Sequence, residues 1–252
     1  MIRVSGLLEK SNPAESALRL RNKLSKEGYL FFSHFFDRNL IEKARRTAIR
    51  LCYELGMITE EFRRGETRLQ KRVMTQPAAK TRTMAEDFGE KFSRKQIFTE
   101  TMQNKNLVRL LEKIFGEKIC PHPAPTSRWA RTLFPQTVRR AMGVHQDFFY
   151  IRGIKEIYSV WIPMSHCPWH LGGLAVLSKS HKLGLLRHTK NGRAHLPRKH
   201  GCKWLSVEYE QGDVLIFSST MVHGPLPNRT LDTPRLAFDF RYCKTSHVNK
   251  LV

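Results

Sequence analysis

The chain has 252 residues, of which 40% are hydrophobic and 26% are charged, a balance typical of folded globular proteins that excludes wholesale disorder. No apolar run approaches the roughly 20 residues of a membrane-spanning helix, and the first residues lack the apolar core of a signal peptide. Five widely separated cysteines argue against a disulfide scaffold and favour a cytoplasmic location. The net charge of +22 predicts attraction to anions without identifying one.

The N-terminal part, about residues 1–120, has the signals of helices around a short strand. Asn12-Pro13 predicts the start of a helix that ends at Gly28, and Asp37 predicts the cap of a second helix. Residues 60–104 are polar with weak periodicity, so we expect loops and short helices there. The other predicted elements of this part are a strand at Gly28–Phe32, a helix end at Gly56, and a helix through Leu107–Phe115 that ends at Gly116.

From about residue 128 the sequence changes to short apolar or alternating runs separated by turns. The predicted strands are Ser127–Phe134, Tyr158–Pro163, Leu174–Leu177, Leu205–Tyr209, Val214–Phe217 and Leu236–Tyr242. Their spacing favours an antiparallel sandwich or barrel over a parallel sheet with crossover helices. We therefore expect one domain over residues 1–252, mainly β with flanking helices, whose β core covers about residues 121–245.

The sequence His145-Gln146-Asp147 contains a histidine and a carboxylate that converge if the segment is a strand. His223, which follows the apolar run Val214–Phe217, offers a second imidazole. Two histidines and one carboxylate on one face form the facial triad that binds Fe(II) and leaves positions open. A lone His-x-Asp pair is more often found on the surface, so the assignment of His145 and Asp147 as metal ligands depends on the other residues of the pattern.

Arg235 follows His223 by 12 residues and begins an alternating run. An arginine directed into a barrel needs an anion, and a carboxylate such as that of 2-oxoglutarate is a fitting bidentate partner. The alternative is a surface arginine on an edge strand.

Several motifs in order resemble the phytanoyl-CoA dioxygenase family of Fe(II)/2-oxoglutarate oxygenases. They are Gly143–Asp147, Gly172–Lys182, Gly212–Phe217, His223-Gly224 and Asn228–Thr230, within a resemblance that extends from Gly28 to Tyr242. The resemblance implies a double-stranded β-helix, or jelly roll, of cupin-like type with helices around it. It also implies an enzyme that uses Fe(II), 2-oxoglutarate and O2 to hydroxylate a small molecule, with release of succinate and CO2.

The same resemblance assigns roles to individual residues. His145, Asp147 and His223 match the iron ligands, and Arg235 matches the arginine that binds 2-oxoglutarate. Trp161 matches a tryptophan beside the cosubstrate, although core packing explains it nearly as well. Since halogenating relatives lack the carboxylate ligand, Asp147 favours hydroxylation or another oxidation over halogenation.

The sequence departs from the family pattern at two places. The family turn Pro-Gly-Ser-His reads Ser178-Lys179-Ser180-His181 in this chain, and we expect His181 to be structural. Pro225 stands where some members use a serine to hold the cosubstrate carboxylate, so that hydrogen bond must come from elsewhere or be absent.

Other residues are weaker candidates. Arg128 and Arg131 are predicted to face the pocket and to contact the cosubstrate or an acidic substrate, with a solvated strand face as the alternative. Arg241 shares a strand face with Arg235 and is a second candidate anion anchor. Zinc binding around His166, Cys167, His170 and Cys202 is disfavoured because the spacing matches no common ligand set.

The segment Lys182–Lys203 contains seven lysines and arginines and no acidic residue. We expect a solvated loop near the pocket mouth that recruits an anionic or carrier-bound substrate, such as a coenzyme A ester or a secondary metabolite. Two alternatives remain at this point: a nucleic-acid oxidative demethylase, which lacks the expected aromatic and arginine-asparagine signals, and an inactive basic jelly roll that only binds an anion. The sequence predicts no oligomeric state.

Overall fold

The computed structural model describes residues 2–58, 70, 73, 78–124, 128–135, 143–151, 153–154 and 156–248. The helices are α1 Ala17–Glu27, α2 Arg38–Glu54, α3 Ala78–Ser93, α4 Gln96–Met102, α5 Lys105–Phe115 and α6 Thr245–Val248. The strands are β1 Gly6–Leu7, β2 Tyr29–Phe32, β3 Ile119–Pro121, β4 Arg128–Leu133, β5 Ile157–Pro163, β6 Leu174–Leu177, β7 Trp204–Ser206, β8 Val214–Ser218, β9 His223–Pro225 and β10 Arg235–Lys244.

The first two helices begin at side-chain caps. Ser16 accepts a hydrogen bond from the main chain of Arg19, so α1 starts later than the predicted Asn12-Pro13 start. Its predicted end is confirmed, because Gly28 adopts the left-handed conformation and closes the last turn. Asp37 caps α2 as predicted, by accepting from Asn39 and Leu40.

The prediction of loops and short helices over 60–104 is wrong for Ala78–Ser93, which form one long helix, whereas Gln96–Met102 form a short helix as expected. Helix α3 has 16 residues and α4 has 7. Phe88 and Phe92, one turn apart, are fully buried, and the ring of Phe92 lies 5.9 Å from that of Phe238 in the sheet. The helix forms because these few large side chains bury against the sheet, whereas its remaining residues are too polar to give a clear period.

Two sheets form the β part of the chain, and their strand pairs are antiparallel except for β1 with β7, which is parallel. The smaller has the strand order β1-β7-β6-β9, and the larger has the order β2-β8-β5-β10-β3 with β4 also paired to β10. Two facing sheets with this interleaved order form the predicted jelly roll. The predicted run Leu205–Tyr209 is a strand only as far as Ser206, and Ser127 lies outside the described residues.

The larger sheet is covered on both faces, which explains why β2 and the first four residues of β8 are continuously apolar. In β2, Leu30 and Phe32 join the cluster that contacts the helices, while Tyr29 and Phe31 join the cluster between the sheets. This alternation follows from the two-residue period of a strand. The helices of the N-terminal part therefore cover one face of the sheet, and the smaller sheet covers the other. No helix in the described part of the chain combines the length and apolarity needed to cross a membrane.

Candidate metal centre

One antiparallel bridge brings two histidines together. The main chains of His145 and His223 exchange two hydrogen bonds, each 3.0 Å long. Residues that face each other across such a bridge direct their side chains to the same side, and the two imidazole ring centres lie 4.3 Å apart. The backbone thus fixes the relative position of both rings.

Asp147 completes the cluster from a 3₁₀ turn at Asp147–Phe149. Its Oδ1 lies 3.6 Å from His145 Nε2 and 3.7 Å from His223 Nε2. Within the described residues, this is the one group of three His, Cys, Asp or Glu side chains whose ligand atoms all lie within 4.8 Å of one another. The dyad is not on a strand as predicted, because the chain turns at Asp147. Gln146 is nevertheless extended, so the predicted convergence is observed.

Both imidazoles can present Nε2 to the centre of the cluster. Nδ1 of His145 is 2.8 Å from the carbonyl oxygen of Gly143, and Nδ1 of His223 is 3.0 Å from that of Met221. A ring that donates from Nδ1 keeps its free lone pair on Nε2. Burial, together with the neighbouring His145, lowers the pKa of His223 to about 4. This ring is therefore neutral at neutral pH, which is the form that binds a metal.

The carboxylate of Asp147 is buried and ionised. Arg241 Nη2 lies 2.7 Å from each carboxylate oxygen, and the hydroxyl of Ser159 donates to Oδ2. Burial opposes ionisation, but the charge of Arg241 outweighs it and holds the pKa of Asp147 well below its usual value. Two imidazoles and one carboxylate, with no further protein ligand within the described residues, fit an Fe(II) centre that keeps open positions.

Arg235 lies at the start of β10 and is only 5% exposed. Its Nη1 donates to the carbonyl oxygen of Gly172 at 2.9 Å, and its Nε has no hydrogen-bond partner among the described residues. The ring of Trp161 lies 5.4 Å from the guanidinium carbon. A buried guanidinium with an unused donor is costly unless an anion completes its shell, so this pocket fits the far carboxylate of 2-oxoglutarate.

Arg241 is not a spare anion anchor, contrary to the prediction. Its charge is balanced inside the protein by Asp147 and by Asp239, whose Oδ1 lies 2.8 Å from Nη1. Arg131 Nε in turn lies 2.9 Å from Asp239 Oδ2, so positive and negative side chains alternate from Arg131 through Asp239 and Arg241 to Asp147. Contact with opposite charges compensates the unfavourable free energy of burying an arginine.

The predictions for Arg128 and Arg131 require a correction. They lie three positions apart on β4, and positions three apart on a strand alternate between faces. Arg131 bonds to Asp239 on the face of the metal cluster. Arg128 stands opposite Phe240, which belongs to the cluster packed against the helices. The structure therefore does not support a contact of Arg128 with the cosubstrate.

Gln146 is a site residue that sequence reasoning missed. Its buried amide donates to the carbonyl oxygens of Gly184 and Thr220 at 2.8 and 2.6 Å and accepts from the main chain of Leu186 at 2.8 Å. The main chain of Gln146 also donates to His188. One side chain thus connects the turn that carries His145 and Asp147 to the basic segment Lys182–Lys203. The sequence does not reveal this role, because nothing in the order His145-Gln146-Asp147 indicates what the glutamine side chain contacts.

The remaining candidates lie away from the cluster. His181 Nε2 is 2.9 Å from the carbonyl oxygen of Ser25, which gives it the expected structural position at the end of α1. His166 pairs with Glu210 at 3.0 Å. In the described part of the chain, no set of three potential ligands forms around Cys167 or Cys202, so the zinc alternative has no support.

Comparison with known proteins extends these observations. The sequence model of phytanoyl-CoA dioxygenase (PhyH) matches residues 24–237. The 1-deoxypentalenic acid 11-beta-hydroxylase of Streptomyces arenae is 30% identical over 57% of this chain and 56% of its own length. The enzyme of the same name from Streptomyces exfoliatus is 29% identical over 52% of this chain and 50% of its own length. The alignments thus span about half of these relatives.

Solved structures share the fold at low sequence identity. The epimerase SnoN of nogalamycin biosynthesis, in complex with Fe3+, alpha-ketoglutarate and nogalamycin RO, has a TM-score of 0.62 over 90% of this chain and 83% of its own, at 16% identity. The alpha-ketoglutarate-dependent carbocyclase SnoK has a TM-score of 0.59 over 94% and 87%, at 13% identity. At these identities the likeness establishes the jelly-roll fold.

Proposed function

Since the chain belongs to the phytanoyl-CoA dioxygenase family, we propose that it is an Fe(II)- and 2-oxoglutarate-dependent oxygenase that hydroxylates a small molecule and releases succinate and CO2. The observation that carries this proposal is the convergence of three buried side chains, His145, Asp147 and His223. Bound iron and 2-oxoglutarate would supply the oxidation of a C–H bond by O2, which no side chain can perform alone.

The residues of this chain would hold the reactants and exclude water. His145, Asp147 and His223 would hold the metal from one side, and Arg235 would bind the far carboxylate of 2-oxoglutarate beside Trp161. Because the cluster is buried, charge interactions within it are stronger than they would be in water. The carboxylate of Asp147 occupies the position that halogenating relatives leave for halide, so we propose hydroxylation.

The substrate class that we propose is an acidic or carrier-bound secondary metabolite. The relatives named above act on an acid. In this chain the segment Lys182–Lys203 exposes all seven of its lysines and arginines. It is anchored to the turn that carries His145 and Asp147, since the main chain of Ala194 donates to the carbonyl of Val144 at 2.8 Å. Its positive field would concentrate anions beside the cluster.

Anaerobic binding of Fe(II) and 2-oxoglutarate tests the enzymatic proposal. The purified protein should develop the charge-transfer absorption band of an Fe(II)–2-oxoglutarate complex, and it should release succinate slowly when O2 is admitted. His223→Ala should lose both signals, because one of two imidazole ligands is gone. His166→Ala, which removes a half-exposed histidine bonded to Glu210, is the matched control and should keep them.

The absence of both signals in the wild-type protein would overturn the oxygenase proposal and leave a basic binding protein. Succinate release stimulated by methylated oligonucleotides, and by no acidic small molecule, would instead assign the oxygenase to nucleic acid.

A further inference from the structure

We propose that Arg241 and Ser159 are positioning residues that make Asp147 a one-oxygen metal ligand, an inference that rests on the proposed function. Three donors hold Oδ2 of the carboxylate, so Oδ1, which faces both histidines, would be the oxygen that binds the metal. The number of positions left for 2-oxoglutarate and O2 would then be set by two residues that do not touch the metal themselves.

The two oxygens of Asp147 have different surroundings. Oδ1 faces both histidines, at 3.6 and 3.7 Å from their Nε2 atoms. Oδ2 accepts from Arg241 Nε at 3.0 Å, from Arg241 Nη2 at 2.7 Å and from the hydroxyl of Ser159. Arg241 Nη2 also reaches Oδ1 at 2.7 Å, but Oδ2 alone receives the Nε and hydroxyl donors. The lone pairs of Oδ2 thus already accept hydrogen bonds from protein donors.

The sheet fixes both donors in place. Arg241 on β10 and Ser159 on β5 stand directly opposite each other in the antiparallel ladder, so both side chains leave the sheet on the same face. Arg241 is only 2% exposed, and Asp239 holds its Nη1 through a carboxylate contact of 2.8 Å and a main-chain hydrogen bond of 3.2 Å. The guanidinium therefore has no freedom to release Oδ2 by turning away.

A carboxylate that bound through both oxygens would occupy two coordination positions of the metal, whereas one that bound through Oδ1 alone would occupy one. The lost position would be one that 2-oxoglutarate needs for chelation. Removing the Oδ2 donors should therefore weaken binding of 2-oxoglutarate more than binding of the metal. A residue that only supported the fold would weaken both together.

The test uses Co(II) in place of iron, with Ser159→Ala, Ser159→Thr and Arg241→Met. Titration of the apoprotein gives the Kd for Co(II), and the visible spectrum of the Co(II) protein reports its coordination number. A second titration with 2-oxoglutarate gives the Kd for the cosubstrate. Ser159→Thr keeps the hydroxyl and should match the wild type.

We expect Ser159→Ala and Arg241→Met to raise the Kd for 2-oxoglutarate by about tenfold or more, because the second oxygen of Asp147 would compete for a position that the cosubstrate needs. The Kd for Co(II) should rise by a smaller factor than the Kd for 2-oxoglutarate, because the freed oxygen of Asp147 would bind the metal in compensation. The spectrum without 2-oxoglutarate should also change in both variants.

Equal Kd values for 2-oxoglutarate in wild type and in Ser159→Ala would overturn the inference, as would parallel loss of both ligands in a folded variant. If Arg241→Met does not fold, the Ser159 pair decides alone. If the wild type itself binds neither Co(II) nor 2-oxoglutarate, the proposed function fails rather than this inference.

Discussion

The two buried arginines of β10 differ in what balances their charge, although they lie on the same face of the strand. Arg241 is paired with Asp147 and Asp239 inside the protein. Arg235 faces the carbonyl of Gly172 and the ring of Trp161, and its Nε lacks a partner among the described residues. An external anion is therefore expected at Arg235, where the charge is unbalanced, and not at Arg241.

Substitution of Arg235 should affect the cosubstrate specifically. We expect Arg235→Gln to raise the KM for 2-oxoglutarate by about 10- to 100-fold, the range for loss of a charge-assisted hydrogen bond. Arg235→Lys should lie between this variant and the wild type, because lysine keeps the charge without the planar fork. Succinate release at varied 2-oxoglutarate measures this, and an unchanged KM in Arg235→Gln would exclude the contact.

Lys179 carries a local strain where the family pattern has glycine. Its φ is +63°, a region that side chains with a Cβ disfavour. We expect Lys179→Gly to raise the free energy of unfolding by about 1 kcal/mol, measured by urea denaturation. Lys182→Gly, at an ordinary φ in the following 3₁₀ turn, is the control and should lower stability. A loss of stability in Lys179→Gly would contradict the assignment of strain.

At the scale of elements, the connection between the basic segment and the turn that carries His145 and Asp147 depends on Gln146. Its amide makes three hydrogen bonds to Gly184, Leu186 and Thr220. Gln146→Met keeps the length of the side chain but removes the hydrogen-bond partner of those partly buried main-chain groups. We expect the free energy of unfolding to fall by about 2 kcal/mol, and trypsin to cleave the segment Lys182–Lys203 faster.

Gln103→Met is the matched control, because Gln103 lies exposed at the end of α4. It should leave both the unfolding curve and the cleavage rate unchanged. Equal trypsin cleavage of Gln146→Met and wild type would mean that other contacts, such as the Ala194 hydrogen bond to Val144, hold the segment without the glutamine.

The elements that could be predicted from the sequence are those with a local signal. The cap at Asp37, the helix end at Gly116 and the run Leu174–Leu177 each depend on neighbouring residues. Helix α3 could not be predicted because its stability comes from burying Phe88 and Phe92 against a sheet formed by residues far along the chain. Local composition does not report such tertiary contacts.

The same distinction applies to the candidate site. The spacing and motifs around His145, Asp147 and His223 were enough to predict their convergence. The partners of Asp147 were not predictable, because Arg241 and Ser159 meet only through the register of β10 with β5. The prediction for Arg128 was wrong for the same reason, because the sheet face on which its side chain lies depends on the pairing of β4 with β10.

For the molecule as a whole, buried histidines make stability depend on pH. Burial lowers the pKa of His122 and His181, and it lowers that of His223 to about 4. The unfolded chain binds these protons near pH 6.5 whereas the folded chain does not, so stability falls as the pH drops below about 6.5. The free energy of unfolding of the metal-free protein should therefore be lower at pH 5 than at pH 7.

His181→Gln isolates one of these contributions away from the metal cluster. Its amide can still donate to the carbonyl of Ser25 but does not titrate. The variant should show a shallower decrease in stability between pH 7 and pH 5 than the wild type. A wild-type protein that is equally stable at both pH values would contradict this account of the histidines.

The net charge of +22 attracts anions, and the location of the charges decides whether they serve recognition. If the basic segment recruits an anionic substrate, replacing Arg187, Lys190, Arg193, Arg198 and Lys199 by glutamine should raise the KM for that substrate and weaken its dependence on salt. A matched variant replaces five exposed cations of the helices, namely Arg21, Lys26, Arg38, Arg50 and Lys105, and so has the same net charge. A higher KM in the first variant alone would show that the position of the charges matters, because screening limits the reach of each charge to about 10 Å. Equal KM values in both variants would show that the segment contributes charge but not recognition.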